Sequence, residues 1–126
     1  MIIGYAYVVG DILHYGHILY LKNCKSMCDK LIVGVLTDEA VMEKKPKPAV
    51  EFMERMGLVA ELKCVDAAVV QETYSPWNNV LAIKPDILFE STSHDYPCSN
   101  PSGQVIVMPY YPLQSSGAIK EKIKGD

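Results

Sequence analysis

Two of the three histidines in the chain flank a glycine shortly after the first apolar segment. Residues 2–9 are rich in β-branched and aromatic side chains, which predicts a strand, and His14-Tyr15-Gly16-His17 follows where a helix should begin. A helix N-terminus presents free N–H groups and a partial positive charge, so it attracts anions. Gly16 lets a ligand approach the backbone closely, and two imidazoles add donors for phosphate oxygens. The pattern predicts a phosphate site suited to attack on the α-phosphorus of a nucleotide, where positioning and charge stabilisation carry the reaction.

Other interpretations of these histidines must be weighed. A lone histidine is most often a surface residue or a hydrogen-bonded core residue, and a pair at this spacing can bind a metal ion. The joint occurrence of strand, turn, His-x-Gly-His and helix favours phosphate binding over both. We predict no metal site formed by protein ligands. The four cysteines, Cys24, Cys28, Cys64 and Cys98, lack the spacing of a zinc quartet and are expected to be free thiols.

Apolar runs alternate with helical patterns along the chain. Strands are predicted at 2–9, 30–36, 66–70, 87–89 and 104–108. Helices are predicted at 16–28, 37–44, 51–63, 76–83 and 115–124, with loops at 45–48, 91–103 and 109–114. This order predicts an α/β fold in which one domain forms a doubly wound, five-stranded parallel sheet of Rossmann-like type. Ligands of such sheets bind beyond the carboxyl ends of the strands, which is where the histidines lie.

Length and composition restrict the possible function classes. The 126 residues predict one domain over 1–126. A net charge of −3 argues against non-specific binding to nucleic acid or an anionic membrane. With 49% apolar and 21% charged residues the chain is not expected to be disordered. No apolar run approaches the roughly 20 residues of a transmembrane helix, and the first residues lack the basic region of a signal peptide, so we expect a cytoplasmic protein.

The segment 11–21, DILHYGHILYL, resembles the signature of the small cytidylyltransferases, a family within the HxGH nucleotidyltransferase superfamily. The likeness continues in order through LIVGVLTDE at 31–39, FMER at 52–55, KCVD at 63–66 and KPD at 84–86, and so covers most of the chain. Such enzymes join a nucleoside triphosphate, usually CTP, to a phosphorylated alcohol and release pyrophosphate. The resemblance therefore implies a nucleotidyltransferase fold and a CDP-alcohol product.

The resemblance also implies roles for individual residues. His14 and His17 would contact the triphosphate and stabilise the transition state, and Lys47 and Arg55 would neutralise phosphate charge. Asp11 would orient the histidine loop, and Asp66 would lie near the base and ribose. The predicted catalytic residues are His14, His17, Lys47 and Arg55. The predicted nucleotide-binding residues are Val8, Val9, Gly10, Asp11, Gly16, Asp66, Ser115 and Ser116.

The chain departs from the family pattern at three places. The family usually has Gly-(Thr or Val)-(Phe or Tyr)-Asp before the histidines, whereas this chain has Val8-Val9-Gly10-Asp11, which predicts a different loop backbone. Tyr110 stands where the family has an arginine that contacts the β and γ phosphates, although Ser115 and Ser116 keep hydroxyls at a predicted helix N-terminus. The usual Gly-x-Asp-Trp segment is also replaced. Its counterparts here predict acceptor contacts at Glu90, Ser91, Thr92 and His94.

The leading hypothesis is a cytidylyltransferase that uses CTP, Mg²⁺ and a small phospho-alcohol or hydroxyalkylphosphonate. An adenylyltransferase of the same superfamily, which forms FAD or an ADP-sugar, is the first alternative because His-x-Gly-His serves ATP enzymes equally well. A nucleotide-binding module without turnover is the second, because the family arginine is missing. Relatives are commonly homodimers, so a homodimer is expected, with no nucleic-acid or membrane partner.

Overall fold

A computed structural model of the protein describes residues 1–92 and 97–109. Nine elements follow one another in the described part of the chain. They are β1 (Ile3–Val8), α1 (Tyr15–Lys25), β2 (Lys30–Leu36), α2 (Asp38–Met42), α3 (Phe52–Ala60), β3 (Ala67–Gln71), α4 (Trp77–Ile83), β4 (Ile87–Ser91) and β5 (Gln104–Met108). Every strand pairing is parallel, in the order β3-β2-β1-β4-β5. The predicted five-stranded, doubly wound parallel sheet is confirmed, while the predicted helix at 115–124 lies outside the described residues.

The strand order creates a switch point between β1 and β4. The chain moves outward from β1 through β2 to β3, and then crosses back to place β4 on the other side of β1. The connections that leave β1 and β4 therefore diverge at the carboxyl edge of the sheet, which is the usual ligand position in open α/β sheets. The histidine segment that follows β1 begins at this point.

The strands bury one set of side chains on each face of the sheet. Helices α1 and α3 cover one face, whose core includes Val8, Leu21, Val33, Val59 and Phe89. Helices α2 and α4 cover the other face, whose core includes Tyr5, Tyr7, Leu36, Val41 and Val80. Successive strand residues alternate between these two cores, as the pleat requires. Continuous apolar strands buried on both faces are typical of parallel sheets.

Gly34 leaves room for Tyr5 to pack on the sheet face covered by α2 and α4. Its position lies opposite the ring of Tyr5, and a Cβ atom there would stand 1.9 Å from Tyr5 Oη. The tyrosine hydroxyl reaches across this gap and donates to Gln71 Oε1 at 2.6 Å, in the buried interior. Because Gly34 has no side chain, the Tyr5 side chain can occupy the space above β2.

Most elements begin or end one to three residues away from the sequence-based expectation, and α1 ends at Lys25 rather than at residue 28. β4 continues past Phe89 to Ser91, because Glu90 and Ser91 pair with Val107 and Met108 of β5. The apolar run stops at Phe89, so the charged Glu90 signalled a loop although its side chain is buried. Helix α3 ends at Ala60 rather than at residue 63. In the described part of the chain, no helix is long and apolar enough to cross a membrane.

Candidate active site

His14 and His17 form the start of α1 through reciprocal contacts with the backbone. His14 is the N-cap residue, and its Nδ1 accepts a hydrogen bond from Gly16 N at 3.0 Å. His17 lies one turn later, and its Nδ1 accepts from His14 N at 3.3 Å. These contacts satisfy two of the amides that a helix N-terminus leaves without intrahelical partners. Two imidazoles at this spacing thus organise the helix start and lie beside each other, with 4.1 Å between their ring centroids.

The same contacts determine which nitrogen of each histidine faces a ligand. An Nδ1 atom that accepts from an N–H group carries no proton, so the proton of each neutral ring is assigned to Nε2. Burial lowers the pKa of His14, and burial together with neighbouring His14 lowers the pKa of His17 to about 4, although nearby Asp11 acts in the opposite direction. Nε2 of His14 is buried and has no hydrogen-bond partner among the described residues. Both rings are therefore neutral donors, and His14 holds one donor ready for an external acceptor atom.

Asp11 ties the histidine loop to the segment between α2 and α3. Its side chain is 2% exposed, and its two carboxylate oxygens accept from Ala49 N at 3.0 Å and Val50 N at 2.9 Å. The predicted orienting role of Asp11 is consistent with this geometry, which makes it a positioning residue. The loop itself has an unusual backbone path, since Gly10 (φ 73°) and Ile12 (φ 53°) both occupy the left-handed region. A β-branched residue rarely adopts this conformation, and the tie at Asp11 helps to hold it.

Arg55 is buried and holds three loops together at the carboxyl edge. Its guanidinium donates to the carbonyls of Val9 (2.5 Å) and Leu36 (2.7 Å), Nε donates to Val50 O at 2.9 Å, and Nη2 pairs with Asp38 at 2.6 Å. The side chain is fully inaccessible to solvent. The prediction that Arg55 neutralises phosphate charge is therefore corrected: its donors are directed into the protein, and it positions the loops that follow β1 and β2.

An open pocket lies beside these loops, on the sheet face covered by α2 and α4. It has a cavity volume of about 30 Å³ and is lined by Tyr7, Val8, Val9, Leu36, Lys45 and Tyr74. Val8 and Val9 were predicted at the nucleotide, whereas Tyr7, Lys45 and Tyr74 were missed as lining residues. The Lys-Pro-Lys-Pro loop signalled exposed positive charge, but the spacing gave no reason to choose Lys45 over Lys47. Lys47 is exposed, two residues before the contact between Asp11 and Ala49.

Comparison with known proteins identifies the family of the chain. A family model described as cytidylyltransferase-like matches residues 10–116. The chain belongs to the cytidylyltransferase-like family. The family membership expected from the histidine signature is thus confirmed.

The curated relatives of this cytidylyltransferase-like chain include proteins that are much longer. The bifunctional protein HldE of Helicobacter pylori (strain P12) is 37% identical over 119 residues, which cover 90% of this chain and 26% of the relative. The HldE of Campylobacter fetus is 34% identical over 91% of this chain and 26% of its own length. The chain therefore spans about a quarter of the length of these HldE proteins.

Solved structures give the same fold. The lipopolysaccharide core biosynthesis protein of Thermoplasma volcanium GSS1 superposes with a TM-score of 0.77 at 30% identity, covering 88% of this chain and 97% of that protein. The pantoate-beta-alanine ligase of Francisella tularensis superposes with a TM-score of 0.62 at 18% identity, covering 95% of this chain and 65% of the ligase. The second likeness is one of fold alone.

Asp66 does not belong to the site of this cytidylyltransferase-like chain. It immediately precedes β3, at the amino edge of the sheet, and its carboxylate accepts from Leu31 N at 2.7 Å and from Lys25 Nζ at 2.7 Å. These hydrogen bonds lower the pKa of Asp66. The histidines follow β1 at the opposite edge, so the prediction that Asp66 contacts the base and ribose is wrong. Asp66 accepts from the amide of Leu31 near the start of β2, as Asp86 accepts from Ile3 N at the start of β1 at 2.8 Å.

The predicted acceptor residues divide into different environments. Glu90 is fully buried in β4, where its carboxylate accepts from Tyr7 Oη and from Cys98 N. The prediction that Glu90 contacts the acceptor directly is therefore corrected. Ser91 ends the strand partly buried, and Thr92 is exposed with its amide bonded to Met108 O. Neither is tested as an acceptor contact by this geometry.

Several predicted residues lie outside the described part of the cytidylyltransferase-like chain: His94, Tyr110, Ser115 and Ser116. Across 1–92 and 97–109, His, Cys, Asp and Glu form no group of three that could hold a metal ion. The four cysteines are free thiols, and burial raises the pKa of each of them. The homodimer, the cytoplasmic location and the Mg²⁺ requirement stay predictions.

Proposed function

We propose that this chain transfers a nucleoside monophosphate from a nucleoside triphosphate to the phosphate of a small acceptor, with release of pyrophosphate. The observation that carries the proposal is the pair of neutral imidazoles at the N-terminus of α1: Nδ1 of each accepts from the backbone, and Nε2 of His14 has no partner among the described residues. This donor set lies at the switch point of the sheet, where open α/β sheets usually bind their ligands. Membership of the cytidylyltransferase-like family supports a nucleotide as that ligand.

The proposed reaction is a direct displacement at phosphorus. An oxygen of the acceptor phosphate attacks the α-phosphorus, the bond from that phosphorus to the bridging oxygen breaks, and pyrophosphate leaves with the electron pair. Negative charge shifts onto non-bridging oxygens and onto the leaving group. Nε2–H of His14 and His17, together with free amides of α1, would donate to these oxygens without any proton transfer by the enzyme.

The described residues also bear on the expected Mg²⁺. The site offers imidazole and amide donors, while the Asp11 carboxylate accepts from two backbone amides, and within residues 1–92 and 97–109 no acidic cluster accompanies it. This donor set does not fit a magnesium site formed by the protein. We therefore propose that Mg²⁺ arrives bound to the triphosphate, where it would offset phosphate charge.

The first candidate for donor and acceptor is CTP with a small phospho-alcohol or hydroxyalkylphosphonate. The description of the matching family model supports the cytidine base. Lys45 is among the residues that line the open pocket beside the loops after β1 and β2, and a cation there would suit an anionic acceptor.

A second candidate is transfer to a phosphorylated sugar, with an ADP-sugar as the product. The relative from Thermoplasma volcanium favours it, because that protein is described as acting in lipopolysaccharide core biosynthesis and its chain is 97% covered at 30% identity. Lipopolysaccharide cores are built from sugars, so a sugar phosphate is the corresponding acceptor class.

The deciding experiment is ³¹P NMR of the purified chain with Mg²⁺ and either CTP or ATP. The acceptors are glycerol 3-phosphate, phosphoethanolamine, phosphocholine, 2-hydroxyethylphosphonate, glucose 1-phosphate and mannose 1-phosphate. New diphosphate signals with CTP and a phospho-alcohol or phosphonate would support the first candidate, and signals with ATP and a sugar phosphate the second. The His17→Ala variant, whose turnover should be roughly 10²- to 10³-fold lower, is measured in the same way. Nucleotide binding without pyrophosphate release for any pair would contradict catalysis and favour a binding module.

A further inference from the structure

Asp38 is the counter-ion of the buried Arg55 guanidinium. Its Oδ1 atom accepts from Arg55 Nη2 at 2.6 Å, and 23% of its side chain is exposed whereas none of the Arg55 side chain is. Burying an unpaired guanidinium carries a large desolvation cost, which the neighbouring carboxylate helps to offset. Because an apolar side chain would fill the position of Arg55 without that cost, the contacts of the charged pair indicate what it does.

The other donors of Arg55 contact the backbone around the end of β1. Nη1 donates to the carbonyls of Val9 at 2.5 Å and Leu36 at 2.7 Å, and Nε donates to Val50 O at 2.9 Å. Val9 directly precedes the histidine loop, Leu36 ends β2, and Val50 lies between α2 and α3. The pair of Asp38 and Arg55 therefore joins the start of the histidine loop to two other connections at the carboxyl edge.

The histidine loop, residues 10–13, is held by a second set of contacts. The Asp11 carboxylate accepts from Ala49 N at 3.0 Å and from Val50 N at 2.9 Å. Val50 is also the residue whose carbonyl accepts from Arg55 Nε. The contacts thus close a ring that runs from the loop through the segment between α2 and α3 to the guanidinium, and from there back to the end of β1.

Within this ring the backbone has a conformation that it would not hold alone. Gly10 (φ 73°) and Ile12 (φ 53°) lie in the left-handed region, which glycine adopts freely and a β-branched residue adopts only when surrounding contacts impose it. His14 follows two residues later, and as the N-cap residue it accepts from Gly16 N through its Nδ1 atom. Without the ring, Ile12 would relax and His14 would leave the N-cap position.

We propose that Asp38 is a positioning residue for the histidine pair: by holding Arg55 against Val9 O, it keeps the strained loop in the conformation that places His14 at the N-cap of α1. The inference rests on the proposed function and deepens it, because it names the group that sets the position of the donors for the triphosphate oxygens. Asp38 acts through Arg55 and the backbone, so its role requires no contact with the nucleotide.

Four variants separate this role from a general effect on the fold. Asp38→Ala removes the partner of Arg55. Glu39→Ala is the matched control, because it removes an exposed carboxylate from the same first turn of α2 and so has the same effect on the helix dipole. Asp38→Asn keeps an oxygen acceptor for Arg55 Nη2, and it tests the pair even if Asp38→Ala folds poorly. Ile12→Gly removes the strain of the left-handed conformation.

Amide hydrogen exchange of the full chain, followed by NMR, measures the state of the loop without any substrate. The reporter amides are those of Gly16, Ala49 and Val50, which donate to the side chains of His14 and Asp11, and the reference amides are those of β2. In Asp38→Ala we expect exchange at the reporter amides to accelerate about tenfold more than at the reference amides. In Glu39→Ala both sets should change equally, and Asp38→Asn should lie between the two alanine variants.

The second readout is pyrophosphate release with the nucleotide and acceptor that react in the ³¹P experiment. In Asp38→Ala, kcat should fall about tenfold while the nucleotide KM stays within about threefold, because the histidines act on charge that develops in the transition state. Glu39→Ala should keep the wild-type kcat. In the Ile12→Gly background, Asp38→Ala should lower kcat by less than about threefold, because a glycine needs no contacts to hold the left-handed conformation.

Contrary results are distinct for each part of the inference. If the reporter amides exchange no faster than the reference amides in both Asp38→Ala and Asp38→Asn, the positioning role is overturned, even where the wild type forms product. An equal loss of kcat with isoleucine and with glycine at position 12 would overturn the role of the strained loop. Absence of pyrophosphate release in the wild type, with reporter amides that still respond to Asp38→Ala, would remove the proposed function but keep the contact between Asp38 and the histidine loop. The two failures are therefore distinguishable.

Discussion

His14 and His17 each use Nδ1 to accept a backbone amide of the same helix turn, and their ring centroids lie 4.1 Å apart. In each side chain Nδ1 therefore stabilises the start of the helix, and Nε2 carries the proton. The imidazoles must be neutral to make these contacts, because a proton on Nδ1 would clash with the backbone N–H group that donates to this atom. The chemistry available to the pair is hydrogen-bond donation from Nε2, without proton exchange.

Replacing His17 by alanine should lower kcat for pyrophosphate release by roughly 10²- to 10³-fold, because one donor to the developing charge is lost. Tyr15→Phe is the matched control within the same segment, since Tyr15 is 61% exposed and should leave kcat unchanged. Coupled pyrophosphate assays at saturating nucleotide measure both. Turnover at the wild-type rate in His17→Ala would remove this histidine from the mechanism.

The lowered pKa of His17 predicts a specific dependence of stability on pH. Folding holds this pKa at about 4, below the ordinary value for histidine of roughly 6.5, so the unfolded chain binds a proton first as the pH falls. The stability that neutral His17 contributes is present above about pH 6.5 and is lost between about pH 6.5 and 4. Urea midpoints at pH 7.0, 5.5 and 4.5 measure the effect.

His17→Gln is the reference for that pH series, because its side-chain oxygen still accepts from His14 N but does not titrate. Carboxylates titrate equally in both proteins, so the difference between the two curves isolates the histidine. We expect the wild type to lose more stability than His17→Gln as the pH falls. Parallel curves would mean that His17 has an ordinary pKa in the folded chain.

The fold was largely predictable because its signals are local. A run such as Leu31 to Leu36 is apolar at every position, which is typical of a strand buried on both faces, and the structure places it as β2. The His14 to His17 segment was predictable for the same reason: residue types, spacing and position after a strand all lie within a few residues. Helix and strand ends were less accurate because they depend on partners elsewhere in the chain.

The roles of charged residues were the main errors, and they share a physical cause. Arg55 resembled a phosphate ligand in sequence, yet its donors meet carbonyls of Val9 and Leu36 that only the folded sheet brings together. Glu90 resembled a loop residue because a charge normally ends an apolar strand, and nothing local shows that Tyr7 compensates it. A contact across 83 residues leaves no trace in local spacing.

Arg55→Met should destabilise the fold by about 3 to 5 kcal/mol, since it removes one partner of a buried ion pair and leaves carbonyls without donors. Lys25→Met is the matched control, because the Lys25–Asp66 pair keeps side-chain exposures of 33% and 37% and should contribute far less. Chemical unfolding measures both variants. A stable Arg55→Met protein with a greatly raised nucleotide KM would instead restore the phosphate-binding role.

Gly34→Ala should destabilise the sheet by about 1 to 3 kcal/mol, because the new methyl group would lie 1.9 Å from Tyr5 Oη and 2.9 Å from Gln71 Oε1. Both side chains are buried and hydrogen-bonded to each other, so neither moves without losing that bond. Gly57→Ala is the control: its Cβ meets nothing within 4 Å, it lies within α3, and alanine should stabilise that helix by about 0.5 to 1 kcal/mol. The midpoint of thermal or urea unfolding should therefore fall in Gly34→Ala and rise in Gly57→Ala. Equal shifts would contradict the role of Gly34 as the space that Tyr5 occupies.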